Sequence, residues 1–367
     1  MSLGRIAAVG SAFPPHRYDQ ATLFAALKSH WGERYFNLDR LEQLHRNVLV
    51  GSRHLALAIE EYPKLDGFGA ANAAWTKVAE EVGGEAVSRA LAAAELAPDE
   101  VDALYFVTVT GVATPSIDAR LVERLGLRSD LKRIPIFGLG CVAGAAGIAR
   151  AADYVRGAPD EVAVLLSVEL CSLTLQRDDL SIPNLIASGL FGDGAAAVVV
   201  LGEKRAATKS AAAAGGDRPL PGPAILATKS VFYPGTERVM GWDVRSTGFQ
   251  IVLSAEVPQV VERYLRDDVD RFLAANGLDL AAIGSFVCHP GGPKVLEAMA
   301  RALDAPAGAL DLTWKSLAEV GNLSSTSVLL VLEETLASAT ARPAPGTYGL
   351  LLAMGPGFCS ELVLLRW

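Results

Sequence analysis

Two distant stretches of this chain carry the same order of segments, and that repetition limits the fold more than any other feature. The first runs from the helix-like "EEVGGEAVSRALAAAELAPDE" to the apolar "VDALYFVTVTG" (Val101–Gly111). It continues through "GLGCVAGAAGIARAADYV" to "EVAVLLSVEL" (Glu161–Leu170). The second runs from "VERYLRDDVDRFLAANGLDL" to "IGSFVCHPGG" (Ile283–Gly292), then through "LAEVGNLSSTSVLLVLEETL" to "YGLLLAMGPG" (Tyr348–Gly357). Apolar residues at helical spacing mark the helices, and short apolar runs closed by glycine mark the strands. In the first copy 30 residues separate Gly111 from Cys141; in the second 31 separate Gly291 from Asn322. Alternating helices and strands predict an α/β fold, and the repetition predicts a duplicated one.

Between the copies lies "GEKRAATKSAAAAGGDRPLPGPA" (Gly202–Ala224), rich in Ala, Gly, Pro and charge without amphipathic period. It reads as a surface loop or linker, which divides the chain into halves 1–222 and 223–367. A net charge of −8 argues against nucleic acid as a partner. Apolar runs such as "AAAVVVLG" fall well short of the roughly 20 residues a membrane span needs. The opening "MSLGRIAAVGSAFPP" is broken by Gly10 and closed by Pro14 and Pro15, so it reads as a strand rather than an export signal. Four cysteines stand far apart with no metal-like spacing to the histidines, which fits reduced thiols, no metal and a cytoplasmic protein.

In a duplicated α/β unit, equivalent strand ends converge near the pseudo-twofold axis, and ligands favour such crevices. Three polar residues fall there: Cys141 from one half, His289 and Asn322 from the other. Cys141 precedes a helix whose N-terminus is expected to stabilise a thiolate and lower its pKa. The tiny residues behind it, Gly144 and Gly147 among them, predict a close backbone approach. The same position also suits a small core cysteine. His289, just past a strand and flanked by glycines, suits a proton acceptor or oxyanion donor, and equally a structural histidine. Asn322 suits a helix cap, and equally a fixed amide donor to a developing negative oxygen.

Together these segments resemble the thiolase-like condensing enzymes, and specifically the type III polyketide synthases of the chalcone-synthase-like family. The likeness runs nearly end to end through "GLGCVAGAAGIARA", "GLFGDGAAA", "HPGGPKVLE", "VGNLSSTSVLLVLEE" and the late "GPG", in family order. It implies a thiolase-like, five-layered αβαβα fold and a homodimer. It implies Cys141 as nucleophile, with His289 and Asn322 as its partners. Phe191 and Phe249 match the aromatic gatekeepers of the cavity. Thr174, Cys171, Val109, Ser324 and Met354 match cavity positions; "AMGPG" replaces the usual "GFGPG", so Ala353 and Met354 are expected at the cavity floor. Arg46 and Arg53 are the expected CoA contacts. The resemblance further implies acyl-CoA and malonyl-CoA as substrates, an acyl carrier protein as alternative donor, and no metal or redox cofactor. Small, apolar Cys171 and Val109 favour a long-chain acyl starter and an alkylpyrone or alkylresorcinol product. A single-step ketoacyl-carrier-protein synthase III and an inactive scaffold are the rival readings.

Overall fold

A computed structural model describes residues 3–31, 37–213 and 222–367. The chain opens with β1 (Gly4–Ala12), β2 (His16–Asp19), α1 (Gln20–Trp31), α2 (Leu38–Asn47), β3 (Ser52–Leu55) and α3 (Gly67–Ala94). Next come β4 (Ala103–Thr108), α4 (Ile117–Leu125), β5 (Lys132–Phe137), α5 (Ala143–Gly157), β6 (Val162–Leu170), α6 (Ile182–Leu190), β7 (Asp193–Leu201) and α7 (Glu203–Ala213). The remainder forms β8 (Ala224–Phe232), β9 (Met240–Arg245), β10 (Gly248–Leu253), α8 (Val257–Ala274) and β11 (Ile283–Cys288). It closes with α9 (Pro293–Ala302), α10 (Asp311–Val320), α11 (Ser327–Ala337), β12 (Tyr348–Gly355) and β13 (Cys359–Arg366).

The repetition read from the sequence is present in the topology. The main sheet has the order β11-β12-β13-β8-β1-β7-β6-β4-β5. From the edges inward, β4-β6-β7-β1 and β11-β12-β13-β8 are the same arrangement, and the two runs meet where β1 pairs with β8 through only Gly4–Ile225 and Arg5–Ala224. Beside the extra β2–β3 segment and α6 of the first half and the β9–β10 hairpin of the second, one difference bears on the site. The strand β5 that leads to Cys141 has no counterpart before Asn322, where the helix α10 stands instead.

Residue alternation on the strands sorts the core into layers. On β6, Val162, Val164, Leu166 and Val168 face an outer cluster with α3, while Ala163 and Leu165 face an inner cluster with α5. On β12, Leu351 and Ala353 join that inner cluster, while Leu350, Leu352 and Met354 join a third one with α8 and α9. The order is thus outer helices, sheet, the central pair α5 and α11, sheet, outer helices. Both faces of each half-sheet are covered, which is why the strands read as continuous apolar runs rather than alternating ones.

The central pair needs the tiny residues. A Cβ on Gly144 would stand 2.3 Å from the Ser325 carbonyl, and one on Gly147 would stand 2.4 Å from Leu165. Glycine at these positions costs helix propensity of about 1 kcal/mol each, offset by the close approach of α5 to its neighbours.

One expectation fails. Residues 203–213 of the presumed linker form α7. Its Ala, Lys, Glu and Arg content favours a helix without an apolar stripe, and among its residues 203–211 only Ala206 is deeply buried. The rest of that segment, 214–221, lies outside the described residues. No helix among the described residues is long and apolar enough to cross a membrane.

Candidate active site

The turn after β5 carries Cys141 within a tight turn, Gly140–Val142, that runs straight into α5. Cys141 is buried, and its side chain hydrogen-bonds that of Ser324. Ser324 opens the corresponding turn before α11, in a left-handed conformation at φ 48°. Its N–H donates to the Asn322 Oδ1 at 2.8 Å, and Asn322 Nδ2 points to the Gly291 carbonyl at 3.4 Å. Gly291 belongs to the loop after β11 that begins with His289, whose N–H is tied to Leu352 at 3.0 Å. The three residues read from the sequence are therefore joined by one chain of contacts, Cys141 to Ser324 to Asn322 to the His289 loop. Both ring nitrogens of His289 are buried with no partner among the described residues. A buried imidazole left open on both sides marks a place where a ligand supplies the missing bonds.

The electrostatics correct the thiolate expectation. Burial pushes the Cys141 thiol up to about 12, opposed by the Ser324 hydrogen bond and reinforced by the Glu169 carboxylate. Desolvation outweighs the helix N-terminus, whose effect is about 1 kcal/mol or less. Burial likewise pulls His289 down to about 3. At neutral pH the resting site holds a neutral thiol and a neutral imidazole.

His289 thereby links stability to pH. The unfolded imidazole takes a proton near its ordinary 6.5, whereas the folded one refuses it until about 3. Stability is therefore lost as pH falls below 6.5. His289→Gln removes this loss. Between pH 8 and pH 5 the gap between variant and wild type should move in the variant's favour by about 2 kcal/mol in urea unfolding. A gap that does not change with pH would sink the buried-neutral assignment.

A small cavity of about 30 Å³ reaches Cys141 and is lined by Val109, Cys171, Phe191, Ser324 and Pro356, with Met240, Trp242, Ile251 and Leu253. A second, apolar cavity of about 150 Å³ lies beyond it, among Leu23, Leu27, Ile59, Tyr62, Thr174 and Leu175. Cys171, Phe191, Trp242 and Ile251 line both, so these four form the partition between them.

Val109, Cys171, Phe191, Thr174 and Ser324 thus line cavities, as the resemblance implied. Other expectations need correction. Phe249 lines neither cavity. It stands farther along the β9–β10 hairpin, edge-on to Phe68 at 5.3 Å and 6.2 Å from Trp242, which takes the wall position. Met354 also lines neither cavity, because alternation on β12 turns it into the outer core with α8 and α9. Arg46 is an exposed residue of α2 paired with Glu42, a placement that neither supports nor overturns the expected CoA contact. Arg53 is 3% exposed and donates to main-chain carbonyls, so it is not a surface contact for CoA phosphates.

Sequence reading missed Glu169 altogether. Its carboxylate is fully buried behind Cys141 and accepts from the Val109 N–H at 3.1 Å, Thr110 Oγ1 at 2.9 Å and Ser325 Oγ. Burial raises its pKa, with the Ser325, Val109 and Thr110 hydrogen bonds opposing. The signal was available: a lone charge inside "EVAVLLSVEL" is out of place in a strand covered on both faces. The hairpin pairs Met240–Leu253 and Trp242–Ile251 were missed too; register places each pair side by side on one face of the hairpin.

A duplicated layered fold with a buried cysteine at the head of a central helix is the arrangement of a thiolase-like condensing enzyme. Residues 2–204 match the model for the N-terminal domain of chalcone and stilbene synthases, and residues 224–367 match that for the C-terminal domain. The chain belongs to this family, the type III polyketide synthases, and is an acyltransferase of that class. It is 52% identical to a 1,3,6,8-tetrahydroxynaphthalene synthase of Streptomyces peucetius subsp. caesius, over 99% of this chain and 93% of that one. It is 30% identical to a phloroglucinol synthase of Pseudomonas fluorescens, over 97% of each. Among solved structures, the 1,3,6,8-tetrahydroxynaphthalene synthase of Streptomyces coelicolor A3(2) superposes with a TM-score of 0.90 at 29% identity, covering 99% of both chains.

Proposed function

We propose that this enzyme condenses malonyl-CoA units into a compact aromatic polyketide of the 1,3,6,8-tetrahydroxynaphthalene kind. The observation that carries this reading is the 52% identity to a 1,3,6,8-tetrahydroxynaphthalene synthase over 99% of this chain, beside an apolar cavity of about 150 Å³ behind the Cys171–Phe191–Trp242–Ile251 partition. A cavity of that size takes a group about as large as benzene. It shares Tyr62, Ser172, Leu175 and Arg177 with a larger cavity of about 540 Å³, so there is room beyond it for a chain that grows past one ring. The 52% relative supports the same product class. A naphthalene holds ten carbons, which is five two-carbon units.

The chemistry follows from the resting site. Cys141 attacks a thioester carbonyl while its proton passes to His289; the CoA sulfur leaves and takes that proton, so CoA–SH departs and an acyl–Cys141 thioester remains. Malonyl-CoA then enters and loses CO2. The electron pair left behind is an enolate, whose oxygen takes hydrogen bonds from His289 and the Asn322 amide in a dry cavity. The enolate carbon attacks the acyl–Cys141 carbonyl; the new carbon–carbon bond forms as the carbon–sulfur bond breaks, and Cys141 leaves as a thiolate that takes the next acyl group or a proton from solvent. Residues 1–222 bring the nucleophile, 223–367 bring the histidine and the amide, and no metal or redox group is required. A homodimer and an acyl carrier protein as alternative donor belong to the same reading.

The test is a mass spectrum of products from malonyl-CoA alone and from acyl-CoAs of graded length plus malonyl-CoA. Malonyl-CoA alone should suffice and give the tetrahydroxynaphthalene mass. Dependence on a long-chain acyl starter, with alkylpyrone or alkylresorcinol products, overturns the starter assignment. A single ketoacyl thioester, or no product, overturns iterative condensation itself.

A further inference from the structure

Residues 51–53 join two helix ends that the proposed chemistry needs in register. Helices leave their last carbonyls without partners inside the helix. At the end of α10, just before Asn322, the Gly51 N–H donates to the Ala318 carbonyl and the Ser52 hydroxyl to the Glu319 carbonyl, each at 2.7 Å. At the end of α6, just before Phe191, the Arg53 Nη1 donates to the Ser188 carbonyl at 2.7 Å and to the Phe191 carbonyl at 2.8 Å. The Arg53 stem passes directly under the main chain ahead of Asn322, since a Cβ on Gly321 would stand 3.2 Å from it. The two loops are also stitched to each other. Asn322 N–H donates to the Leu190 carbonyl at 2.9 Å, and Gly192 N–H to the Asn322 carbonyl at 3.0 Å.

We infer that Arg53 is a positioning residue, which fixes Phe191 at the cavity partition relative to Asn322 and so keeps the growing chain on Cys141 until it is full length. Its side chain is buried at the wall of the cavity of about 150 Å³, its Nε has no partner among the described residues, and Asp193 on β7 supplies the nearby countercharge. A cation committed to carbonyls at a helix C-terminus also meets the negative end of the helix dipole. If Phe191 is free to shift, the partition opens, water or an early ring closure intercepts the chain, and shorter products leave. Loss of CO2 from malonyl-CoA, which relies on His289 and Asn322, is less affected than chain length. The inference rests on the polyketide reading above.

Arg53→Met and Arg53→Lys test it in the full chain, with decarboxylation of malonyl-CoA, product masses and thermal midpoint measured side by side. Arg53→Met should lower the ratio of full-length product to CO2 released by about tenfold and shift products to shorter pyrones. Arg53→Lys, which keeps one nitrogen able to serve both carbonyls, should restore most of that ratio. If Arg53→Met does not fold, Ser52→Ala, which removes the Glu319 contact of the same segment, should show the same shift to a smaller degree. A merely structural role predicts a lower thermal midpoint with the product ratio unchanged in every variant; that result overturns the inference. Wild-type enzyme that makes no polyketide, or Cys141→Ala that still makes it, instead overturns the underlying functional reading.

Discussion

Cys141→Ala should reduce polyketide formation by at least about a thousandfold while the protein remains folded. The size of the effect comes from the nature of the step. Without the thiol no acyl group is held, so each condensation becomes a meeting of two free thioesters, and the advantage of a fixed partner is forfeited. Folding should survive, because alanine fits the space of a cysteine and removes a buried thiol whose partner, Ser324, also has the Asn322 amide for its N–H. Intact-mass spectrometry supplies the direct readout. Wild-type enzyme mixed with substrate should carry an acyl adduct that Cys141→Ala lacks. Release of CoA and CO2 at the wild-type rate by the variant would remove Cys141 from the mechanism.

Gly144→Val should cost about 3 kcal/mol of stability and take the activity with it. The substituted Cβ would meet the Ser325 carbonyl at 2.3 Å and Val328 at 2.7 Å, and the former is main chain that cannot rotate aside. A valine recovers part of the glycine's helix penalty, a few tenths of a kcal/mol, far less than the overlap takes away. The relief available is to push α5 from the turn before α11. That turn holds Ser324 and Ser325, the contacts of Cys141 and Glu169, so the displacement reaches the site. Gly157→Ala, at the exposed end of the same helix with open space around it, is the control and should be nearly neutral. Equal urea midpoints for Gly144→Val and wild type would mean that the central helices are not packed this closely.

The residues that announce themselves in the sequence are those whose role is set by local pattern. Strands closed by glycine, a helix after Cys141 and another after Asn322, and the matched spacing of those two residues are properties of short segments, and they came through as the duplicated fold; Asn322 is not the cap expected, because a tight turn at Ser324–Thr326 separates it from α11, which starts at Ser327. What did not come through depends on neighbours far along the chain. Whether Phe249 or Trp242 meets the cavity is decided by where the hairpin docks, since both lie on its inward face. Arg53 looks like a surface arginine until α6, about 135 positions later, lays its carbonyls over it. Cys141 sits at a helix mouth as expected, yet its protonation is governed by burial, a sum over both halves that no local window contains. The α7 segment shows the converse: the lack of an apolar stripe reads as a loop, while its alanine content sustains a helix.

The narrow joint between β1 and β8 has a consequence for how such a chain emerges from the ribosome. The helix α5 is complete at residue 157, yet part of its apolar cover comes from β12 and β13, which end at residue 366. For more than half of synthesis the apolar face of α5 waits for strands that do not yet exist. The nascent N-terminal half therefore exposes, during elongation, apolar surface that the finished fold buries, and exposed surface of that kind is what invites association before folding is complete.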